Sequence, residues 1–413
     1  MPNWAAVGVD ATRNPLERMR ELLERLDNPH RHLPPTIHVA GTNGKGSTIA
    51  FLRAILEAAG LTVHTYTTPH LQHFNERIVL AGKEITDGEL SELMDEVRVK
   101  AGDLVLPFFE ATTAAAFLAF SRHNADFLLL ETGLGGRLDP TNVIENPLLT
   151  VITPISYDHT DVLGESLEEI AQEKVGIMKH GAACVSALQE MRVLTVIDDK
   201  ADELGVDWYG FEYDYSVEFT GSDRLKYLSK WGDLDVAKPA LLGIHQYINA
   251  ATAITAVKVA IPNISDENIA EGIANTKWIG RMQKVEKPYI SEGVKVFVDG
   301  GHNPAAAMAL ATTINEWKIS TVLIIGMTQG RDVAKFLEPF VGLVDFIHTV
   351  QVKSEPMPYT AEYLAGIAGE MGFQSRAFDE IDDAVIFTQN ENLKAGGNII
   401  ICGSLFLVGD IIC

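Results

Sequence analysis

The sequence predicts an α/β protein made of two parallel-sheet domains, a larger one followed by a smaller one, and three observations carry that reading. Short apolar runs alternate with helix-like stretches along most of the chain. An apolar strand, a glycine-rich turn and a helix start follow one another over residues 37–47. A polar stretch at 282–293, QKVEKPYISEGV with Pro288 and Gly293, leads straight into a second strand–loop–helix. The boundary is expected there, giving domains 1–284 and 285–413. With 413 residues, 46% of them hydrophobic, the chain is long enough for two separate cores.

The elements read in order as follows. Leu16, Met19, Leu22, Leu23 and Leu26 fall on one helical face, and Pro29, Pro34 and Pro35 stop that helix. Apolar runs at 37–40, 127–130, 148–152, 294–298, 322–325 and 398–402 are short and continuous, as in strands buried on both faces. Stretches 111–120 and 305–317 read as helices between them. Residues 205–235, rich in aromatic and charged residues, predict a small antiparallel excursion.

Composition narrows the function classes. The 56 acidic residues outnumber the 33 Lys and Arg, and the net charge of −23 argues against a broad nucleic-acid footprint. A site with a few cations of its own can still take a small anion. Cys184, Cys402 and Cys413 are too scattered for a disulfide framework or a zinc cluster. The first residues, MPNWAAVGVDATRNP, lack the basic-then-apolar order of a signal peptide, and no apolar run reaches the roughly 18 residues of a membrane span. A reducing cytoplasm is the expected compartment.

The turn IHVAGTNGKGST has the parts of a phosphate loop. Gly41, Gly44 and Gly46 permit angles that let amides converge on phosphate oxygens, and a helix starting near Ser47 adds its dipole and unpaired donors. Lys45 suits the β- and γ-phosphates, and the Ser47 hydroxyl suits magnesium. Gly46 separates the lysine from the hydroxyl, a departure from the common spacing. The competing reading is a plain glycine-rich turn at a sheet edge.

Further motifs follow: TTPHL (67–71), NERI (75–78), FFEATTAAAF (108–117), ETGLGGRLDPTN (131–142), DHTDVLG (158–164), EKVGIMK (173–179), HQYINA (245–250), GRM (280–282), DGGHNP (299–304) and CGSLFLVG (402–409). With GTNGKGS they closely resemble the folylpolyglutamate synthase and bifunctional dihydrofolate synthase family of the Mur ligase superfamily, from about residue 16 onward. The resemblance implies a P-loop ATPase domain and a smaller Rossmann-like domain with the site in the cleft. The implied reaction activates a folate-type carboxylate with ATP as an acyl phosphate, which L-glutamate then converts to an amide. Small-molecule substrates, two magnesium ions and a monomer with no nucleic-acid or membrane partner are implied with it.

Residue roles carry over motif by motif. Thr42, Asn43 and Thr48 join Gly41, Gly44, Lys45, Gly46 and Ser47 in holding the nucleotide, with Asn249, Arg281 and Asp299. Glu131 ends a buried strand, where α/β proteins place ligand groups, and with Ser47, His159 and Lys174 forms the implied metal set. Lys174 is the implied carbamylated lysine, and Lys45, Lys174 and His302 are the implied catalytic residues. Asp10, Arg77, Pro107, Arg137, Leu138, Asp139 and Pro140 are expected to shape the substrate pocket. Competing readings are a surface or capping role for Glu131, a structural His159, a salt-bridged Lys174 and a well-capped turn at DGGHNP. Asp10 is set apart from the first helix by extra residues, Pro140 stands where alanine is common, and GMTQGRD keeps only Asp332 of the usual charged pairs. These departures touch the choice of acceptor rather than the ligase chemistry. The alternatives are a Mur-type ligase for another carboxylate, which would normally carry an extra N-terminal domain, and a non-catalytic nucleotide switch, which would not need Lys174, His159 and DGGHNP together.

Overall fold

Strand order, more than strand count, decides what the fold can present. The computed structural model describes residues 14–218, 223–355, 357–393 and 396–412. Two units are distinguished: Met1–Ala240 with Tyr247–Thr276, and Leu241–Gln246 with Lys277–Cys413. Arg281 therefore belongs to the second unit.

Among the described residues the main sheet of the first unit has eight strands: β1 (Thr36–Ala40), β2 (Val63–Tyr66), β3 (Ile78–Leu80), β4 (Lys83–Glu84), β5 (Phe127–Glu131), β6 (Leu149–Ile152), β7 (Ala183–Ser186) and β8 (Trp208–Gly210). They lie in the order β4-β3-β2-β5-β1-β6-β7-β8. The six from β2 to β8 run parallel, and β3 and β4 add an antiparallel edge. All five residues of β1 are buried, as its continuous apolar pattern requires for a strand covered on both faces. Leu128, Leu130 and Tyr66 join one core with helices Pro15–Arg25, Asp87–Ala101 and Phe108–Arg122. Ala40, Ile152 and Cys184 join another with helices Leu167–Val175 and Met191–Leu204. The excursion at 205–235 divides: β8 extends the parallel sheet, while β9 (Tyr215–Glu218), β10 (Arg224–Ser229) and β11 (Leu234–Ala237) form a separate antiparallel sheet.

The second unit holds β12 (Gln283–Val285), β13 (Lys295–Val298), β14 (Thr321–Ile325), β15 (Ile347–Val350), β16 (Ala377–Phe378) and β17 (Asn398–Cys402), ordered β12-β13-β17-β14-β15-β16. Only β12 is antiparallel to its neighbour. No helix among the described residues is long and apolar enough to cross a membrane.

One buried ion pair ties the first helix to the first core. Arg18 Nε donates to Glu110 Oε2 at 2.7 Å and its Nη2 to Oε1, with both residues at 5% exposure or less. Arg18→Met leaves a buried carboxylate without its counter-charge, and urea unfolding is expected to show a loss of about 3–5 kcal/mol. Adding Glu110→Leu to that variant should recover most of the loss, because the uncompensated charge is what costs stability.

Candidate active site

The site of the first unit begins where three parallel strands end together. Val39 pairs with Glu131 and Ala40 with Ile152, so β1 stops between the last residues of β5 and β6. The turn after β1 is sewn to the segment after β6. Thr42 and Asn43 donate their amides to the Pro154 carbonyl at 3.0 and 3.2 Å. The Thr42 hydroxyl donates to the Ser156 carbonyl (3.0 Å) and accepts its amide (3.1 Å), and Asn43 Nδ2 reaches Ser156 Oγ at 3.2 Å. Gly44 sits at φ +83°, and a Cβ there would come within 2.5 Å of Asn249 Oδ1, so the Asn249 carboxamide lies against the loop. Helix Lys45–Ala58 then starts with no side-chain cap, which leaves its first amides for an outside acceptor.

Three charged side chains border this turn. Glu131 is 3% exposed, and its Oε2 accepts the Thr68 amide at 3.1 Å. Lys45 Nζ stands 3.7 Å from Glu131 Oε1, a charge pair too long for a direct hydrogen bond, and 3.4 Å from the Thr42 carbonyl. Lys174, 4% exposed near the end of helix Leu167–Val175, donates to the Gly41 carbonyl at 2.9 Å. Burial pushes the Lys174 amine down to about 7; the charge of Lys45 adds to the fall, and Asp158 and Asp139 oppose it.

The second unit gathers its own motifs at strand ends. Asp299, directly after β13, is 5% exposed, and its carboxylate accepts the amides of Met282 (3.0 Å) and Gly301 (2.8 Å). His302 Nδ1 lies 3.1 Å from the Gly300 carbonyl, and Arg281 Nη1 donates to the Gly280 carbonyl at 3.1 Å. Asn303 caps helix Pro304–Trp317 through the Ala306 amide. The side chain of Leu405 packs over Gly300 so closely that a Cβ there would meet it at 2.2 Å. His245 is buried with Asp299 and Arg281 in electrostatic reach, and burial is the main cause that lowers its pKa.

Residues 39–257 match the Mur ligase middle domain, and residues 282–413 match the dihydrofolate synthetase C-terminal domain. The dihydrofolate synthase/folylpolyglutamate synthase of Bacillus subtilis is 35% identical over 96% of this chain and 94% of its own. The chain belongs to the dihydrofolate synthase/folylpolyglutamate synthase family. Escherichia coli FolC, solved with DHPP and ADP, superposes with a TM-score of 0.87 at 30% identity, covering 99% of this chain and 95% of that one. The bifunctional synthase of Yersinia pestis, solved with AMPPNP and a Mn ion, gives 0.87 at 29% identity over the same shares.

In this family member the remaining candidates fall into two groups. Arg77 is half-buried; its Nε donates to His70 Nδ1 at 2.9 Å and its guanidinium lies 5.0 Å from the Phe74 ring centre, with no carboxylate bonded to it among the described residues. Pro107 ends the approach to helix Phe108–Arg122, with Phe108 and Phe109 half-buried behind it. Arg137, by contrast, is engaged by Glu173 at 2.6 Å. Asp139 is 3% exposed and fully occupied: it accepts the amides of Gly133, Leu134 and Thr141 and the Thr141 hydroxyl. Leu138 packs on the first core, and Pro140 opens a short 3-10 turn, Pro140–Val143. Asp10 lies outside the described residues.

The donor chemistry fits a hard divalent ion. Glu131 offers a buried carboxylate, Ser47 a hydroxyl at 2% exposure, and the neighbouring Thr48 hydroxyl is buried without a hydrogen-bond partner. His159 stands at φ +50° with its amide on Asp158 Oδ1 and its ring 3.8 Å from that oxygen. Among the described residues no three His, Cys, Asp or Glu side chains converge as a ready-made cage. Among the described residues the Lys174 amine donates to the Gly41 carbonyl and is paired with no carboxylate. Sequence reasoning missed Pro154 and Ser156 as loop anchors, because their role appears only once β6 is known to flank β1.

Isotope-edited NMR should find one lysine losing its proton near pH 7, absent in Lys174→Met. Lys45→Met removes a charge that lowers that pKa, so the titration should move to higher pH.

Proposed function

We propose that the chain is an ATP-dependent carbon–nitrogen ligase of folate metabolism that joins L-glutamate to a folate-type carboxylate. The observation that carries the reading is the uncapped start of helix Lys45–Ala58, with Lys45 3.7 Å from the buried Glu131 and Lys174 on the Gly41 carbonyl. A bare carboxylate is a poor electrophile. Its attack on the γ-phosphorus of ATP breaks the bond to ADP and leaves an acyl phosphate. The glutamate amine then attacks the carbonyl carbon, phosphate departs, and the nitrogen loses a proton.

The proposed division of labour follows the chemistry of the side chains. Loop amides and Lys45 hold the triphosphate and offset charge that grows as the bond to ADP breaks. Arg77, half-buried and without a bonded carboxylate among the described residues, suits an anionic group of the substrate. Asn249 fixes the loop and faces the nucleotide, and Arg281, Asp299 and His302 keep the roles their motifs imply. Magnesium, held by Ser47 and Glu131 with His159 and Lys174, would supply Lewis-acid neutralisation of phosphate charge. Lys174 fits the carbamate reading because a neutral amine adds to CO2, releasing one proton and becoming an anionic oxygen donor. Dihydropteroate, a tetrahydrofolate, or both are the proposed acceptors. A cytoplasmic monomer without a nucleic-acid partner completes the reading, and the charge of −23 supports the last of these points.

Phosphate release is expected only when ATP, glutamate and one of these two acceptors are all present; release without an acceptor, or none with either, overturns the assignment. Lys45→Ala and Glu131→Ala are each expected to lower turnover by about a hundredfold or more while circular dichroism stays unchanged. The carbamate gives a separate expectation. Protonated below about 7 and neutral above it, Lys174 should take up CO2 more readily as pH rises. Activity of CO2-depleted enzyme should therefore recover on adding bicarbonate, more fully at pH 8 than at pH 6, with Lys174→Ala showing no recovery.

A further inference from the structure

The end of the helix that carries Lys174 is held by a second set of side chains, none of which has a part in the chemistry above. Gly136 presses on this end so closely that a Cβ there would lie 2.8 Å from the carbonyls of both Glu173 and Lys174. Gly176, one residue past the helix, is as tight against Arg137, whose Cβ would be 2.4 Å from an added methyl. The Arg137 amide donates to the Glu173 carbonyl at 2.6 Å. On the other side, Asn142 is 5% exposed and its Nδ2 donates to two carbonyls, Arg137 and Gly176, each at 3.0 Å. Lys179 closes the set, donating to Asn142 Oδ1 at 2.7 Å and to the Gly176 carbonyl at 3.2 Å.

Donors and acceptors leave only one arrangement. A flipped Asn142 amide would face two carbonyl oxygens with an oxygen and an ammonium with an NH2, so its orientation is fixed from both ends. A cation beside the last carbonyls of a helix is also favoured by the helix dipole. Loop and helix end thus form one body, from which the Lys174 side chain reaches the Gly41 carbonyl at 2.9 Å.

We propose that Asn142 and Lys179 are positioning residues: their amide–ammonium clamp sets the place of Lys174 against the phosphate loop. For its effect on turnover the proposal rests on the ligase reading above; for the placement of the amine it does not. Two variants separate the clamp from a mere ion pair. Asn142→Asp strengthens the charge pairing with Lys179 but replaces two donors with oxygens aimed at carbonyls. Lys179→Arg keeps charge and donors, whereas Lys179→Met loses both.

The test is amine labelling of the full chain in CO2-free buffer, with each lysine followed by mass spectrometry. Labelling of Lys174 should accelerate about fivefold or more in Asn142→Asp and Lys179→Met, stay near the wild-type rate in Lys179→Arg, and leave Lys45 unchanged in all three. In turnover assays the same two variants should lose about tenfold or more in kcat with KM for ATP nearly constant, and Lys179→Arg should keep most of its activity. Unchanged Lys174 labelling in Asn142→Asp, or a uniform rise at every lysine, overturns the clamp. If Lys179→Met does not fold, Asn142→Asp against Lys179→Arg decides the matter alone. A wild-type chain that ligates nothing sinks the ligase reading, and the labelling result still stands.

Discussion

A parallel register is the constraint on which the site depends. Because Val39 lies opposite Glu131, the last residue of β5 sits beside the point where β1 gives way to the phosphate loop. Shift that pairing by one residue and the carboxylate points to the other side of the sheet. Such a slip would carry the carboxylate into buried apolar surroundings, since β1 is buried throughout and β5 from Leu128 onward. The hydrophobic core thus sets the address of a charged group.

The loop itself is stiffened before any ligand arrives. Two amides on Pro154 and the reciprocal bonds between Thr42 and Ser156 fix its first half. A Cβ at Gly41 would fall 1.9 Å from Thr153 Oγ1, so the glycine there answers to close approach as much as to angle. A preformed cradle spends less ordering entropy when an anion binds. The helix beginning at Lys45 starts on Gly44, which offers it no side-chain cap.

Much of this was legible in the sequence because the signals were local. Strand, glycines, lysine and helix at 37–47 stand next to one another, and the strands and helices at 127–130, 305–317 and 398–402 matched their expected type, with ends moved by a few residues. What local signals do not carry is pairing across the chain. The motif around Asp139 and Arg137 implies pocket residues, and the Arg137 guanidinium suits a carboxylate or phosphate. The fold uses Asp139 to gather four donors within its own loop, and it gives Arg137 to Glu173, 36 positions away. The split of 205–235 between two sheets had the same cause: alternation predicts a strand but not its partner.

The two lysines beside the loop show how one residue type meets two different surroundings. Lys45 keeps an acidic neighbour, Glu131, at 3.7 Å. Lys174 is buried as deeply as a core residue and donates to a carbonyl, and desolvation and the nearby Lys45 favour the neutral form over the pull of Asp158 and Asp139. The amine donates to the Gly41 carbonyl, and the helix end that carries it is secured by Asn142 and Lys179.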